Sequence, residues 1–183
     1  MKKIIPEKIN PSNFQPFGSV LMQPEREQDI ETHWLQYWHN MVDMSSLGGK
    51  GLLGFMRVKR VPILCEKLLM LFNSIEMYVS LDGKPSIIFV APGKDGVNEP
   101  DLTRLQAFML EGGASVAVER GIWHWSPFPL TETADFALGL KNNVILQDKN
   151  GFSVNDEEIQ YFDLIEPVGI ELEIRTDRGG RGE

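Results

Sequence analysis

Cysteine and long apolar runs are scarce in this chain of 183 residues. A single cysteine, Cys65, excludes an internal disulfide and a zinc site built on several cysteines, and such usage is typical of a reducing compartment. Cys65 lies in the apolar run VPILCEKLLML, so we expect a buried side chain in preference to a nucleophile. No stretch approaches the roughly 18 to 20 consecutive apolar residues of a membrane span. Because MKKIIPEKINP also lacks a secretory apolar segment, we expect a cytoplasmic protein.

Positive charge is also in short supply, with 18 lysines and arginines against 26 aspartates and glutamates and a formal net charge of -8. Such a chain is not attracted nonspecifically to nucleic acid or to anionic membranes. The patterns GxGxxG, GxxxxGK(S/T), HExxH and GxSxG do not occur, which argues against nucleotide-binding folds, zincins and the usual serine hydrolases. We therefore expect neither nucleic acid nor membrane as a partner.

Glycine and proline, 17 and 11 residues respectively, interrupt short apolar runs and leave few helical patterns. This spacing predicts an all-β barrel or sandwich, in one domain over 1–175 with a polar, glycine-rich tail over 176–183. Helix is predicted at 11–14 and over 29–44, although the aromatic residues of the second stretch suit strands as well. SLDGKPSIIFV predicts a hairpin. The predicted strands are 52–60, 64–72, 76–81, 86–91, 105–110, 114–119, 134–140, 158–164 and 169–175.

Glu76 is a candidate functional residue because of its place in the strand sequence EMYVSL. Alternation puts Glu76, Tyr78 and Ser80 on one face, and Met77, Val79 and Leu81 on the other. A carboxylate on the inner face of a small barrel is costly unless it binds a metal, pairs with a cation or does acid–base work. If that face instead points to solvent, Glu76 is a surface acid.

His124 is the best placed of only three histidines, the others being His33 and His39. It stands in ERGIWHWSPF, just after a predicted strand and between two tryptophans. A partly apolar wall around an imidazole can tune its pKa for acid–base work. The alternative is a histidine that only satisfies a backbone carbonyl near the barrel mouth.

A basic group in GFMRVKRVP supplies candidates for binding an anionic substrate. Alternation places Arg57 and Lys59 on one face and Arg60 on the other. An arginine can hold a carboxylate with two parallel hydrogen bonds, which makes Arg57 a candidate substrate clamp. The alternative is an exposed basic strand edge.

Two segments together resemble the ureidoglycolate lyase family, formerly described as ureidoglycolate hydrolase. PDLTRLQAFMLEGGASVAVERGIWHWSPFPLTETADF, residues 100–136, resembles the family's run of Pro-Asp-Leu, an Ala-Phe strand, a turn, Trp-His-His-Pro-Leu and Asp-Phe. PSNFQPFGSVL, residues 11–21, resembles its opening Phe-x-Pro-Phe-Gly-x-Val element. YWHNMVDM around His39 and EMYVSLDGKPSIIFVAPG are similar to the stretches between them, so the likeness covers most of 11–145.

The resemblance implies a cupin-type double-stranded β-helix, a jelly-roll-like barrel with one or two short helices. It also implies a lyase that splits ureidoglycolate into glyoxylate and urea in the degradation of allantoin and purines. That reaction needs a base for the hydroxyl proton, an acid for the departing nitrogen and a cation for the carboxylate. The candidates are His124 and Glu76 as catalytic pair, Arg57 or Lys141 as carboxylate clamp, Trp123, Trp125 and Tyr78 as water-excluding walls, and His39 as a further contact.

Several positions depart from the family pattern. The family's Arg-His before its Gln-Ala-Phe strand falls on Met70 and Leu71, and Glu76 replaces the glutamine of that strand. The family's second histidine after Trp-His falls on Trp125, and an acidic and a basic residue after Asp-Phe fall on Leu140 and Lys141. Cupins usually bind a divalent metal through three histidines and a glutamate. Only two of those ligands, Glu76 and His124, remain here, and two rarely hold a metal tightly, so we expect no metal or other cofactor even with His39 as a third candidate.

Two other functions fit the same residues. A cupin enzyme can act on another small hydroxy or ureido acid, and a barrel that has lost its site can bind a small ligand without catalysis. Cupin barrels also commonly associate through exposed apolar faces, and Trp34, Tyr37 and Trp38 can form one. We expect a homodimer, unless these aromatic residues cap the core.

Overall fold

The computed structural model of the protein describes residues 2–148 and 151–172. Its helical segments within these ranges are α1 (Pro11–Phe14) and two 3-10 helices, Met44–Leu47 and Leu102–Arg104. None of the helices in this part of the chain has the length and apolar character needed to cross a membrane. The strands in chain order are β1 (Lys2–Ile4), β2 (Glu7–Lys8), β3 (Gly18–Leu21), β4 (Ile30–Glu31), β5 (Gln36–Tyr37), β6 (Gly51–Lys59), β7 (Leu64–Leu71), β8 (Glu76–Ser80), β9 (Ser86–Ala91), β10 (Gln106–Leu110), β11 (Ser115–Val118), β12 (Trp123–His124), β13 (Phe128–Pro129), β14 (Thr133–Lys141), β15 (Ile145–Asp148), β16 (Gly151–Val154) and β17 (Ile159–Ile170).

Two large sheets form the body of the protein. The larger has the order β1-β17-β7-β12-β9-β10-β2, with β13 beside β9, and the smaller has the order β3-β11-β8-β14-β6. The antiparallel pairs are nested, because β9 pairs with β10, β8 with β11 and β7 with β12. The chain thus forms a two-stranded ribbon. Successive strand pairs of this ribbon lie alternately in the larger and in the smaller sheet. This is a double-stranded β-helix, and it confirms the predicted jelly-roll-like barrel.

The main core fills the space between the two sheets. Phe14, Phe17 and Phe108 meet at one end of it, with ring centroids 5.3 to 5.9 Å apart. Helix α1 carries Phe14 into this cluster, and its start is fixed by Asn10, whose side chain accepts hydrogen bonds from the backbone N–H groups of Ser12 and Asn13. The short helix predicted at 11–14 is therefore present, with a capping box as its physical cause.

The larger sheet is buried on both faces. In β9, Ile88 and Val90 belong to the core between the sheets, whereas Ile87 and Phe89 belong to a second apolar cluster on the other face. All six residues of β9 are buried. This double burial explains why the strand is a continuous apolar run in the sequence without polar alternation.

Most predicted strand bounds agree with the observed ones. The strands predicted between 52 and 140 are observed as β6 to β11 and β14, each bound shifting by no more than one residue. The strands predicted over 158–164 and 169–175 are instead one strand, β17, whose register shifts between Asp163 and Val168. Pro167 lies in that interval, where its missing N–H is tolerated. Residues 173–175 and the predicted tail over 176–183 lie outside the described residues.

The predicted hairpin at Asp82-Gly83 is wrong, although the turn itself is present. Gly83 has a φ of 68°, and its N–H donates to the Ser80 hydroxyl. Strands β8 and β9 on either side of the turn belong to different sheets and pair with other strands. The turn therefore carries the chain across the barrel.

The predicted helix over 29–44 is also wrong. Strands β4 and β5 form a small hairpin there, because side chains in the segment hold the backbone in turns. The Thr32 hydroxyl accepts the N–H of Leu35, the Asp29 carboxylate accepts the N–H of His39, and Asn40 has a φ of 55°. Such local side-chain hydrogen bonds compete with helix formation.

The packing of Phe108 gives a stability prediction. Because its ring is fully buried among other aromatic rings, Phe108→Ala will lower the free energy of unfolding by about 3–5 kcal/mol. Phe55 is 66% exposed, so Phe55→Ala is a matched control that will change it by no more than about 0.5 kcal/mol. Urea denaturation measures the free energy of unfolding of both variants. Equal losses in the two would contradict the placement of Phe108 in the core.

Candidate active site

His124 points into the barrel. It lies in β12 of the larger sheet, opposite Leu69 of β7 and Val90 of β9. Paired residues of neighbouring strands share a face, and Val90 belongs to the core between the sheets. The His124 side chain is only 1% exposed.

Glu76 points into the same space from the smaller sheet. It begins β8, where Tyr78 packs in the main core, while Met77 and Val79 pack on the other face against the segment around Leu47. The predicted alternation of β8 is therefore present, and Glu76 lies on the inner face. Its side chain is 11% exposed, so it is not a surface acid.

A short hydrogen bond joins these two side chains. Glu76 Oε2 lies 2.8 Å from His124 Nε2, and His124 Nδ1 lies 2.9 Å from the carbonyl oxygen of Ile122. A carbonyl only accepts, so Nδ1 carries a hydrogen. One further proton then lies between Nε2 and Oε2, and the pair is either imidazolium with carboxylate or imidazole with carboxylic acid. Such a pair can move a proton between a substrate and itself.

Tyr78 borders the pair. Its ring stands edge-on to His124, with centroids 6.2 Å apart and an interplanar angle of 81°. The side chain is fully buried. Burial, and next the negative charge of Glu76, raise the pKa of Tyr78 well above its usual value, so the hydroxyl stays protonated and is a donor.

A row of residues leads from the pair to the surface. Leu69 is opposite both His124 and Tyr161, so all three share a face of the larger sheet. Two residues further along the same strands, Lys67 is opposite Asp163 on that face, and its ammonium lies 5.9 Å from the centroid of the Tyr161 ring. Tyr161 is 40% exposed. Neither Tyr161 nor Lys67 was predicted, because the sequence does not reveal the register between strands so far apart.

Trp125 adjoins this row. Its ring is 6.4 Å from that of Tyr161, centroid to centroid, and it packs against the apolar residues around Leu69. It also lines an open surface groove together with Lys67 and Phe128. Trp125 therefore lies at the edge of this groove, beside Tyr161, and its role as a water-excluding wall stays a prediction.

Three comparisons with known proteins bear on this site. The family model described as Ureidoglycolate lyase matches residues 1–161. The chain belongs to the ureidoglycolate lyase family. Similar proteins named ureidoglycolate lyase include one from Burkholderia mallei (strain NCTC 10229), 24% identical over 87% of this chain and 91% of that protein. Others are from Pseudomonas syringae pv. syringae (strain B728a), 27% identical over 88% and 91%, and Salmonella typhimurium (strain LT2), 26% identical over 70% and 81%.

A solved structure is similar at a lower level. It is RmlC from Streptococcus suis in complex with dTDP-D-xylose, with a TM-score of 0.42 and 14% identity, covering 80% of this chain and 60% of that one. The fold of this ureidoglycolate lyase family member is assigned as a double-stranded β-helix from its own strand pairing.

Two of the departures from the family pattern fall together inside the barrel. Leu71 and Leu140, which stand where the resemblance places a histidine and an acidic residue, pack in one apolar cluster with Leu69, Val144 and Ile159. Met70 packs on the outer face of the larger sheet. Where the resemblance implies polar groups at 71 and 140, this chain thus has two leucines buried in one cluster.

Two predicted contacts lie on the other side of a sheet from the pair. Arg57 is opposite Asp135, and the core residues Ala134 and Phe136 on either side show that Asp135 faces outward. The guanidinium holds Asp135 through two hydrogen bonds of 2.7 Å, which lower the pKa of the carboxyl. Trp123 belongs to the outer cluster of the larger sheet. The structure therefore does not support Arg57 as a clamp or Trp123 as an inner wall.

Lys141 and His39 also have partners away from the pair. The Lys141 ammonium lies 2.7 Å from Glu158 Oε1, with both side chains largely buried. His39 is half exposed and lies 3.0 Å from Asp29 in the β4–β5 region. Neither contacts Glu76 or His124, so their predicted roles in substrate binding gain no support.

The donor set does not fit a divalent metal. Glu76 and His124 are hydrogen-bonded to each other, and no group of three histidine, cysteine, aspartate or glutamate side chains suited to a metal occurs among the residues that the structure describes. Tight binding of a transition metal generally takes three or four such ligands.

The Lys141–Glu158 pair generates a pH prediction. Hydrogen bonding to Lys141 lowers the pKa of Glu158 below its usual 4.5, so the pair stabilises the fold above that pH and this contribution is lost as the pH falls through the lowered value. Lys141→Met leaves the buried Glu158 carboxylate with a hydrogen bond from Asn143 but without its cation, so it will be less stable than the unmodified protein at about pH 7. Urea denaturation will show this difference shrinking towards about pH 3. A difference independent of pH would contradict the pairing.

Proposed function

We propose that this protein cleaves ureidoglycolate to glyoxylate and urea. The observation that carries the proposal is the contact of Glu76 with His124 inside the barrel, because this reaction needs one group that accepts and then returns a proton. Membership of a family whose similar members are named ureidoglycolate lyase supports the same reaction.

Glu76 is the group best placed to touch the substrate. Its Oε2 atom is engaged by His124, whereas its Oε1 atom makes no hydrogen bond among the described residues and is free for the hydroxyl of ureidoglycolate. Both ring nitrogens of His124 are occupied by Glu76 and Ile122. His124 therefore acts through Glu76, as a positioning residue that shares its proton.

The chemical step follows from these roles. The Glu76 carboxylate takes the proton of the substrate hydroxyl, the oxygen forms the carbonyl of glyoxylate, and the bond between carbon and the ureido nitrogen breaks. The electron pair of that bond goes to the nitrogen, which takes the proton back from Glu76 and leaves as urea. One carboxyl group thus serves as base and acid, without net gain or loss of protons.

Lys67 is the cation that we assign to the substrate carboxylate. It lies on the same face of the larger sheet as His124. Its present partner is Asp163, at 3.2 Å, and the two side chains are 44% and 79% exposed. An exposed ion pair of this kind contributes little to stability, so a substrate carboxylate can displace Asp163. Lys67 thus replaces Arg57 and Lys141 in the predicted role.

The cellular setting is also part of the proposal. We propose that the enzyme is cytoplasmic and acts in the breakdown of allantoin and purines, and its single cysteine is in keeping with a reducing compartment. We further propose a homodimer, supported by Trp34 and Tyr37, which are 73% and 47% exposed in the β4–β5 region. Trp38 is less available for a partner, because its indole N–H donates to the carbonyl of Arg26.

Substitution of the pair tests the proposed reaction. Glu76→Gln removes the proton acceptor but keeps the shape, and we expect kcat/KM for glyoxylate release from ureidoglycolate to fall by about 10²- to 10⁴-fold. His124→Ala will lower it by about tenfold or more, because Glu76 loses its proton partner. Arg57→Met, on the outer face, is the control and will retain activity. Full activity in both variants of the pair would rule out the mechanism.

The poor fit of the donor set to a metal gives a separate test. We propose that the reaction requires no divalent metal, so the kcat of protein dialysed against a chelator will equal that of untreated protein, and added Mn²⁺ or Zn²⁺ will not raise it. Metal analysis of the purified protein accompanies the assay. Loss of activity on dialysis, with recovery on adding one metal, would show this proposal to be wrong.

A further inference from the structure

The hydroxyl of Tyr78 is a buried polar group without a partner. It makes no hydrogen bond to any residue that the structure describes, although the side chain is fully buried. A buried hydroxyl without a hydrogen bond destabilises the folded protein, because it has lost its bonds to water and gained none in return. A group kept at such a cost requires an explanation.

The position of this hydroxyl points to the active site. Tyr78 lies two residues after Glu76 on the inner face of β8, with its ring edge-on to His124. The side chains of Ser126 and Glu76 approach it closely enough to influence its pKa, but neither has the distance and angle of a hydrogen bond. The unpaired donor therefore lies beside the carboxylate that we assign to proton transfer.

We propose that the Tyr78 hydroxyl donates a hydrogen bond to the carbonyl oxygen of the substrate's ureido group. This inference rests on the proposed function, since it places the leaving group next to Glu76. Lys67 takes the carboxylate, and the ureido oxygen is the acceptor that gains negative charge as the carbon–nitrogen bond breaks. A fixed donor that already lacks a partner needs no reorganisation to stabilise that charge.

The same geometry predicts opposite effects on stability and on function. Tyr78→Phe removes only the hydroxyl, so the melting temperature will stay the same or rise, because no internal hydrogen bond is lost. In contrast, kcat/KM for ureidoglycolate will fall at least about tenfold. A structural role for the hydroxyl would instead lower the melting temperature.

Ser86→Ala is the matched control. The Ser86 hydroxyl is also buried and without a partner, but it lies at the opposite end of β9 from Val90, the residue paired with His124. Its removal will leave the melting temperature the same or higher and will leave kcat/KM within about twofold. A comparable loss of activity in Ser86→Ala would overturn the specific role of Tyr78.

A second readout separates this inference from the proposed function. Oxalurate carries the same ureido group and carboxylate but has no hydroxylated carbon to cleave, so calorimetry can measure its binding without turnover. Tyr78→Phe will weaken oxalurate binding by about threefold to tenfold. If the unmodified protein binds oxalurate but does not release glyoxylate, the lyase proposal fails while weaker binding by Tyr78→Phe still supports this inference.

The remaining outcomes overturn the proposed hydrogen bond from Tyr78 to the substrate. Unchanged oxalurate affinity and unchanged kcat/KM in Tyr78→Phe would show that the hydroxyl does not contact the ligand. A lower melting temperature would show that it has a partner in the free protein. If the unmodified protein neither binds oxalurate nor cleaves ureidoglycolate, both proposals fail together.

Discussion

The buried contact between Glu76 and His124 depends on both sheets at once. One residue comes from the smaller sheet and the other from the larger, and a carboxylate placed between them would be costly without a partner. The imidazole supplies that partner and shares one proton with it, so the pair as a whole is neutral. The two sheets must therefore hold both side chains at hydrogen-bonding distance for the site to exist, which makes the surrounding core part of the chemistry.

Alternation in one strand and the scarcity of histidine together named the two residues of the pair, although they left open whether Glu76 faces inward. The pattern of β8 placed Glu76 and Tyr78 on one face, and the scarcity of histidine left His124 as the best-placed partner. The same reasoning could not decide which face of β6 or β12 is inward. Arg57 and Trp123 were accordingly assigned to the site, while the structure places both on outer faces. Which face of a strand points into the barrel depends on its pairing with strands distant in the chain, and the local sequence pattern does not encode that pairing.

Register between distant strands accounts for the residues that sequence reasoning missed. Lys67 and Tyr161 are 94 positions apart in the chain, and they meet because β17 pairs with β7.

The helix predicted over 29–44 failed for a different reason. The spacing of its apolar residues was near helical, but hydrogen bonds to the side chains of Thr32 and Asp29 favour turns. These bonds depend on where individual polar residues stand in the sequence and not on its average hydropathy.

The mutual burial of Leu71 and Leu140 has a consequence for how this site can evolve. Either leucine, if changed alone to a histidine or an acid, would place a polar group against the apolar side chain of the other. The two positions are therefore coupled, because a polar side chain at one of them is tolerated only where the other supplies a partner for it.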